Sequence, residues 1–176
     1  MSSKPVRSAL TVVMLAVILS CSREETPSQS DAVRKFVQDF YDWYVPASHR
    51  ASSDRPADIV LRERPSVFDS NLARELKEDS DAQSKVQGDI VGLDFDPFLA
   101  AQDACERYEV VSVRKDEESY RVDVRGVGGC EKHDGPDISA EVIPKDAAWL
   151  FTNFHYPGPN GSDLLTILQK LRDERK

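Results

Sequence analysis

The sequence predicts an α+β domain: helices first, then an antiparallel sheet of about four strands, then a closing helix. Three observations predict it. Apolar residues recur at helical spacing through residues 31–44. From Tyr108 the apolar period changes to two. Near the end, Leu164, Leu165, Ile167, Leu168 and Leu171 return to helical spacing. Helices followed by a run of strands point to an α+β fold.

The first helix, over 31–44, carries Val33, Phe36, Val37, Phe40, Tyr41 and Tyr44 on one face. Ser30 is positioned to cap it and Pro46 to end it. Residues 45–64 interleave Arg50, Arg55, Arg62 and Arg64 with Asp54, Asp58 and Glu63, which reads as a solvated loop with one helical turn at 59–61. A second helix is expected from about 65, where Pro65 suits a first turn, to near 82, with Val67, Phe68, Leu72 and Leu76 as its stripe. Val111 and Val113, then Val122 and Val124, then Ile138, Ala140 and Val142 alternate with polar residues as half-buried strands. The segment 149–156, "WLFTNFHY", is a fourth strand with bulk on both faces. Ser162 or Asp163 caps the final helix.

The chain has 176 residues, 40% hydrophobic and 31% charged, the mixture of a soluble globular domain large enough for its own core. The formal net charge of -8 argues against nucleic acid as a partner, since phosphate neutralisation needs clustered Lys and Arg.

The first twenty residues carry a different message. Lys4 and Arg7 precede an apolar run over 9–19, which is too short to cross a bilayer as a helix. The run ends in "ILSC" and resembles the lipobox of bacterial lipoproteins, with residues 1–20 as signal peptide and Cys21 as the first mature residue. The resemblance implies a diacylglyceryl group on the Cys21 sulfur and an acylated amino terminus, hence durable anchoring. Ser22, rather than Asp, after the cysteine resembles the outer-membrane sorting pattern. Losing Lys4 and Arg7 from 23 Lys and Arg leaves 21 against 31 Asp and Glu, a net of -10 for the mature chain. Residues 21–30 are polar and read as a tether, with one domain over 31–176.

Cys105 and Cys130 are tested by a hairpin. A turn centred on Glu117 and Glu118 pairs residues whose numbers sum to 235, so Val113 faces Val122, Val111 faces Val124, and Cys105 falls opposite Cys130 on the same face. A disulfide in an oxidising compartment is expected.

"LDFDPFLAAQD", residues 93–103, holds Asp94, Asp96 and Asp103. Asp96 followed by Pro97 is a cap and first-turn pair, so a short capped turn leads into the first strand, with Phe95 and Phe98 anchoring it. The stretch lacks the regular oxygen spacing and glycine of a calcium loop. "CEKHD" offers Cys130 and His133 but no second half of a metal site. No nucleophile elbow or phosphate loop occurs, and His49, His133 and His155 are far apart in sequence. No cofactor and no metal site are indicated.

Four segments together, "VRKFVQDFYDWYV", "LDFDPFLAAQD", "AAWLFTNFHYP" and "DLLTILQKL", resemble the bacterial lipoprotein family named domain of unknown function 3828. The resemblance covers residues 31–172. It implies an NTF2-like cone, helices packed into a curved antiparallel sheet, and it carries no catalytic residue. Three functional expectations follow. The first is a non-enzymatic lipoprotein on the outer membrane, facing the periplasm and binding another envelope protein through the motif of Asp94, Asp96, Pro97, Phe98 and Asp103. The second is a small-molecule carrier or sensor with a cavity lined by Tyr41, Trp43, Trp149 and Phe151. The third is a hydrolase using Asp94, Asp96 or Asp103.

Overall fold

The computed structural model describes residues 28–50, 54–86, 88, 90–102, 104–130, 134–158 and 161–176. The expected signal peptide, Cys21, most of the expected tether, Asp103 and His133 lie outside the described residues.

Helix α1 spans Gln29–Arg50. Its cap is Ser28, two residues before the expected Ser30. The Ser28 hydroxyl accepts the Asp31 N–H at 3.2 Å and donates to Asp31 Oδ2 at 2.7 Å, which satisfies an orphan donor and seats an acidic group in the first turn. Pro46 lies inside the helix and does not end it. The carbonyl it leaves without a donor belongs to Asp42, an exposed residue that water can serve. Buried Val45 and Ala47 hold the last turn against the core, and Ser48 Oγ donates back to the Val45 carbonyl at 2.9 Å.

The solvated loop expected after α1 is replaced by a helix, α2, over Pro56–Glu63. Ala57, Ile59 and Val60 are buried, and that apolar burial outweighs the loop tendency of the charges around them. Those charges pair locally: Arg55 Nε donates to Asp58 at 3.2 Å, and Arg62 meets Asp54 at 2.8 Å. The second expected helix is broken once. Pro65–Val67 forms a 3-10 turn, Phe68 is extended and bridges to Phe151, and Asp69 caps α3, Ser70–Gln83, by accepting the Leu72 N–H at 2.8 Å.

Five strands follow, β1 Arg107–Asp116, β2 Ser119–Val127, β3 Ile138–Lys145, β4 Ala148–Tyr156 and the two-residue β5 Ser162–Asp163, then helix α4, Leu164–Glu174. They form one antiparallel sheet in sequence order. Asp163 caps α4 by accepting the Thr166 N–H at 3.0 Å.

Val113 faces Val122 across the two-residue turn of Glu117 and Glu118, as expected. Beyond that point the register slips by one. Val110, not Val111, faces Val124, and Val111 is bulged out and 42% exposed. The bulge falls where α1 covers the edge strand. Gln38 accepts the Val110 N–H at 2.9 Å and donates to the Tyr108 carbonyl at 2.9 Å, and Arg34 donates to the Val110 carbonyl at 2.7 Å. Backbone groups that an edge would leave open are thus taken by helix side chains.

The Cys105–Cys130 disulfide is present, with Cα atoms 5.0 Å apart. Cys105 precedes β1, and the Glu106 N–H continues the ladder to the Gly128 carbonyl at 2.8 Å. Gly128 and Gly129 both take positive φ, 80° and 71°. They turn the chain so that Cys130 reaches Cys105 despite the slipped register. Gly126 makes this possible too: a Cβ there would lie 2.2 Å from Cys105 Sγ.

The apolar face of α1 packs on the sheet. Val33, Val37 and Tyr44 are 0% exposed, as are Val122, Val124, Ile138 and Phe154, each such side chain adding roughly 1.5–3 kcal/mol. Helix α1 runs antiparallel to β1. Its start is fixed by Tyr120, whose hydroxyl donates to Gln29 Oε1 at 2.8 Å. One end of the domain therefore carries the hairpin turns at 117–118 and 146–147, and the other carries the disulfide and the 96–101 turn. Helix α4 is clamped to α3 by charge. Arg172 reaches Glu75 at 2.6 Å, and Arg175 reaches Asp79 at 2.5 Å and the Val91 carbonyl at 2.9 Å.

Candidate functional site

The acidic stretch folds as a capped turn. Asp96 Oδ1 accepts the N–H groups of Phe98 at 2.9 Å and Leu99 at 3.2 Å, and the Asp96 N–H donates to the Ala101 carbonyl at 3.0 Å. Pro97 supplies the preset φ of the following position. Ala100, at φ 54°, turns the chain out before a helix can continue. Phe98 is 0% and Leu99 3% exposed. Phe98 meets Phe40 and Tyr44 edge-on, while Phe95 meets Tyr156 edge-on from outside.

The second oxygen of Asp96 accepts the Tyr44 hydroxyl at 2.7 Å. Enclosure pushes the Asp96 carboxyl up to about 6 from 3.8; the Tyr44 hydroxyl and the two N–H groups pull it back only in part. Burial beside Asp96 likewise holds the Tyr41 and Tyr44 hydroxyls firmly protonated.

Around this turn lies an open depression of about 910 Å³. Ser48 and His49 border it from the end of α1, Asp54, Arg55, Pro56 and Ile59 from the start of α2, Gln83 from the end of α3, and Ile90, Leu93, Asp94, Phe95 and Asp96 from the stretch that follows. Its character is mixed. Ile59, Ile90 and Leu93 are apolar, Asp54 and Asp94 are exposed carboxylates, and the Arg55 Nη1 is buried without a hydrogen-bond partner. Arg55 Nε is engaged with Asp58, whose other oxygen accepts the Ser80 hydroxyl. Behind the rim, Gln83 Oε1 accepts the N–H groups of Val91 at 2.8 Å and Gly92 at 3.0 Å, and Asp79 accepts that of Leu93 at 3.0 Å. Three large hydrophobics are exposed among the described residues: Val86, Ile90 and Val111. Two of them, Val86 at 36% and Ile90 at 72%, lie on the segment that leaves α3 toward this rim.

The structure brings Asp94, Asp96, Pro97 and Phe98 into one turn and uses them differently. Asp96, Pro97 and Phe98 build it, and Asp94 is presented to solvent. Asp103 lies outside the described residues. The four aromatics expected to line a cavity are dispersed. Tyr41 is 1% exposed and stacked on Tyr108 at 5.6 Å. Phe151 is 0% exposed, packed against Phe36, Phe40 and Phe154. Trp43 lies under Arg64, whose guanidinium carbon is 4.4 Å from the ring centroid. Trp149 meets Tyr120 edge-on at the hairpin end. None of the four borders the depression. Ring packing between α1 and the sheet fills the space where that cavity was expected.

The outer face of the sheet holds a polar network, in which the Arg121 Nε is buried without a hydrogen-bond partner. Asp123 accepts from Ser112 at 2.6 Å, Ser139 at 2.8 Å and Arg114 at 3.2 Å. Glu141 takes Arg121 and His155, both at 3.1 Å. Ser139 faces His155 across β3 and β4, but its hydroxyl is given to Asp123, so the two are not arranged as nucleophile and base. Among the described residues, no group of three His, Cys, Asp or Glu side chains is placed to hold a metal ion. No described helix is long and apolar enough to cross a membrane.

Sequence reasoning missed His49, Asp54, Arg55, Ile59 and Gln83 as neighbours of the acidic turn. They come from three helices, and no spacing along the chain encodes their meeting. The one available signal was the apolar group Ile90, Val91 and Leu93 around Gly92, which follows neither a helical nor a strand period. The chain matches no protein-family model, no curated protein and no solved structure.

Proposed function

We propose that this is a lipid-anchored envelope protein without catalytic activity, whose domain faces the periplasm from the outer membrane and docks another envelope protein at the depression. The observation that carries the reading is the division of labour in the 90–102 stretch. Asp96 spends both carboxylate oxygens inside the chain, which suits a structural cap and not an acid or base facing a substrate. Ile90 and Asp94 beside it stay open to a partner. Val86 and Ile90, both exposed on the segment that leaves α3, supply the apolar part of a small docking patch, and Asp94 its polar part.

The Cys105–Cys130 disulfide supports an oxidising compartment, and the lipobox-like "ILSC" supports acylation of Cys21. The NTF2-like cone and membership of the lipoprotein family that "DPFLAAQD" resembles belong to the same proposal. A long helix laid along an antiparallel meander, with a helix at the end, supports them. The test is in-cell photocrosslinking of the full chain with a benzophenone amino acid at Ile90, and at Glu118 as control. One discrete adduct of an envelope protein from position 90, absent from 118, is the expected result. Equal yields from both positions would count against docking at the depression.

A further inference from the structure

Two lengths decide which way the depression faces once Cys21 is held in a bilayer. Ser28, the cap of α1, lies seven residues beyond Cys21, so the chain between them reaches at most about 25 Å. From Ser28 the helix runs unbroken to Arg50. Ser48 and His49, which border the depression, are about 30 Å along the axis from Ser28 at 1.5 Å per residue. Standing α1 upright with its Arg50 end on the bilayer would lift Ser28 farther from the surface than the tether reaches.

The other end of the domain stands next to the tether. Tyr120, bonded to Gln29 at 2.8 Å, holds the start of α1 beside the hairpin turns. Asp116, Glu117, Glu118 and Asp146 make that end acidic against Lys115 and Lys145. It has no attraction for an anionic leaflet, so chain length and not adhesion sets its position.

We infer that the depression faces away from the membrane that holds Cys21, and that its occupant is a segment of a protein reaching it from the aqueous side, carrying an apolar side chain next to a basic one. This rests on the anchored reading above. Ile59, Ile90 and Leu93 receive the apolar group, and the exposed Asp94 carboxylate receives the basic one. The net charge of -10 on the mature chain, 21 Lys and Arg against 31 Asp and Glu, steers a cationic partner toward the domain.

The test uses full-length protein extracted from membranes and reconstituted in vesicles that contain an energy-acceptor lipid. A fluorescent amino acid is placed at Glu118 or at His49, both exposed. Strong transfer from 118 and weak transfer from 49 is expected. Inserting about twenty Gly and Ser residues after Ser22, which lengthens the flexible span well beyond the helix, should bring the two closer together. Equal transfer with the native tether overturns the orientation. Failure of the protein to float with the vesicles overturns the anchored reading instead, so the two failures are told apart. For the partner's chemistry, Asp94→Lys should cut the yield of the adduct formed from position 90 several-fold. An unchanged yield overturns the basic group.

Discussion

The Tyr44 hydroxyl donates to Oδ2 of Asp96 at 2.7 Å, across 52 residues of sequence. That bond ties the middle of α1 to the cap of the acidic turn and so fixes the wall of the depression to the core. Burial of the same carboxyl, which the bond only partly offsets, makes the turn sensitive to pH. The folded chain holds the Asp96 proton up to about pH 6, whereas the unfolded carboxyl loses it near 3.8. Stability from this group is complete below about pH 4 and is lost as pH rises through about 6. Asp96→Asn removes the titration and keeps an acceptor for Phe98 and Leu99. Wild type should therefore gain on the variant by about 2–3 kcal/mol from pH 8 to pH 4, at about 1.4 kcal/mol per pH unit. Asp123 and Asp163, held below the usual carboxylate range by their hydrogen bonds, act the opposite way but cancel in the comparison. Urea unfolding of both proteins at three pH values measures it, and a pH-independent difference would refute the assignment.

The disulfide closes a loop between residues 25 apart. On the chain-entropy model its loss costs roughly 3.5 kcal/mol. Denaturant unfolding with and without reductant should differ by about that amount. Gly126→Ala places a methyl group on Cys105 Sγ. The variant should retain titratable thiols in a non-reducing denaturant, where the wild-type chain shows none from this pair.

Asp79 is 8% exposed and depends on Arg175. Arg175→Ala leaves that charge buried without its counter-charge, with the Leu93 N–H still bonded to it, and should destabilise by about 3 kcal/mol. A paired replacement, Asp79→Asn with Arg175→Met, should cost clearly less than the sum of the single changes. A thermal-melt double-mutant cycle reads the coupling, and simple additivity would mean that the α3–α4 clamp does not hold the rim.

Ile90, at 72% exposure, has little to lose on folding. Ile90→Asp should shift stability by no more than about 0.5 kcal/mol while removing the apolar contact with a partner. Circular dichroism and co-purification from membranes check the two halves separately.

Most of the fold was legible because it follows periodicity. The apolar face of α1, the valine alternation of β2 and the leucines of α4 each state their own partner side. The failures have specific causes. Pro46 was read as a stop, but its cost falls on an exposed carbonyl and the turn beyond it is held by buried Ala47. The charges of 54–64 hid three apolar residues at helical spacing. The bulge at Val111 is set by Gln38 and Arg34, side chains some seventy residues away, which no local pattern records. For the site, the Asp96 cap was readable from two adjacent residues. The depression was not, because helix ends distant in sequence build it. The aromatics of α1 looked like a lining and are packing, since periodicity alone does not tell a filled interior from an open one.

The most direct test of the central claim is the intact mass of the protein extracted from the membrane fraction. The account predicts a chain beginning at Cys21, heavier by a diacylglyceryl and an acyl group, with Cys105 and Cys130 oxidised. An unacylated chain recovered from the soluble fraction, or one cut elsewhere than before Cys21, would contradict it.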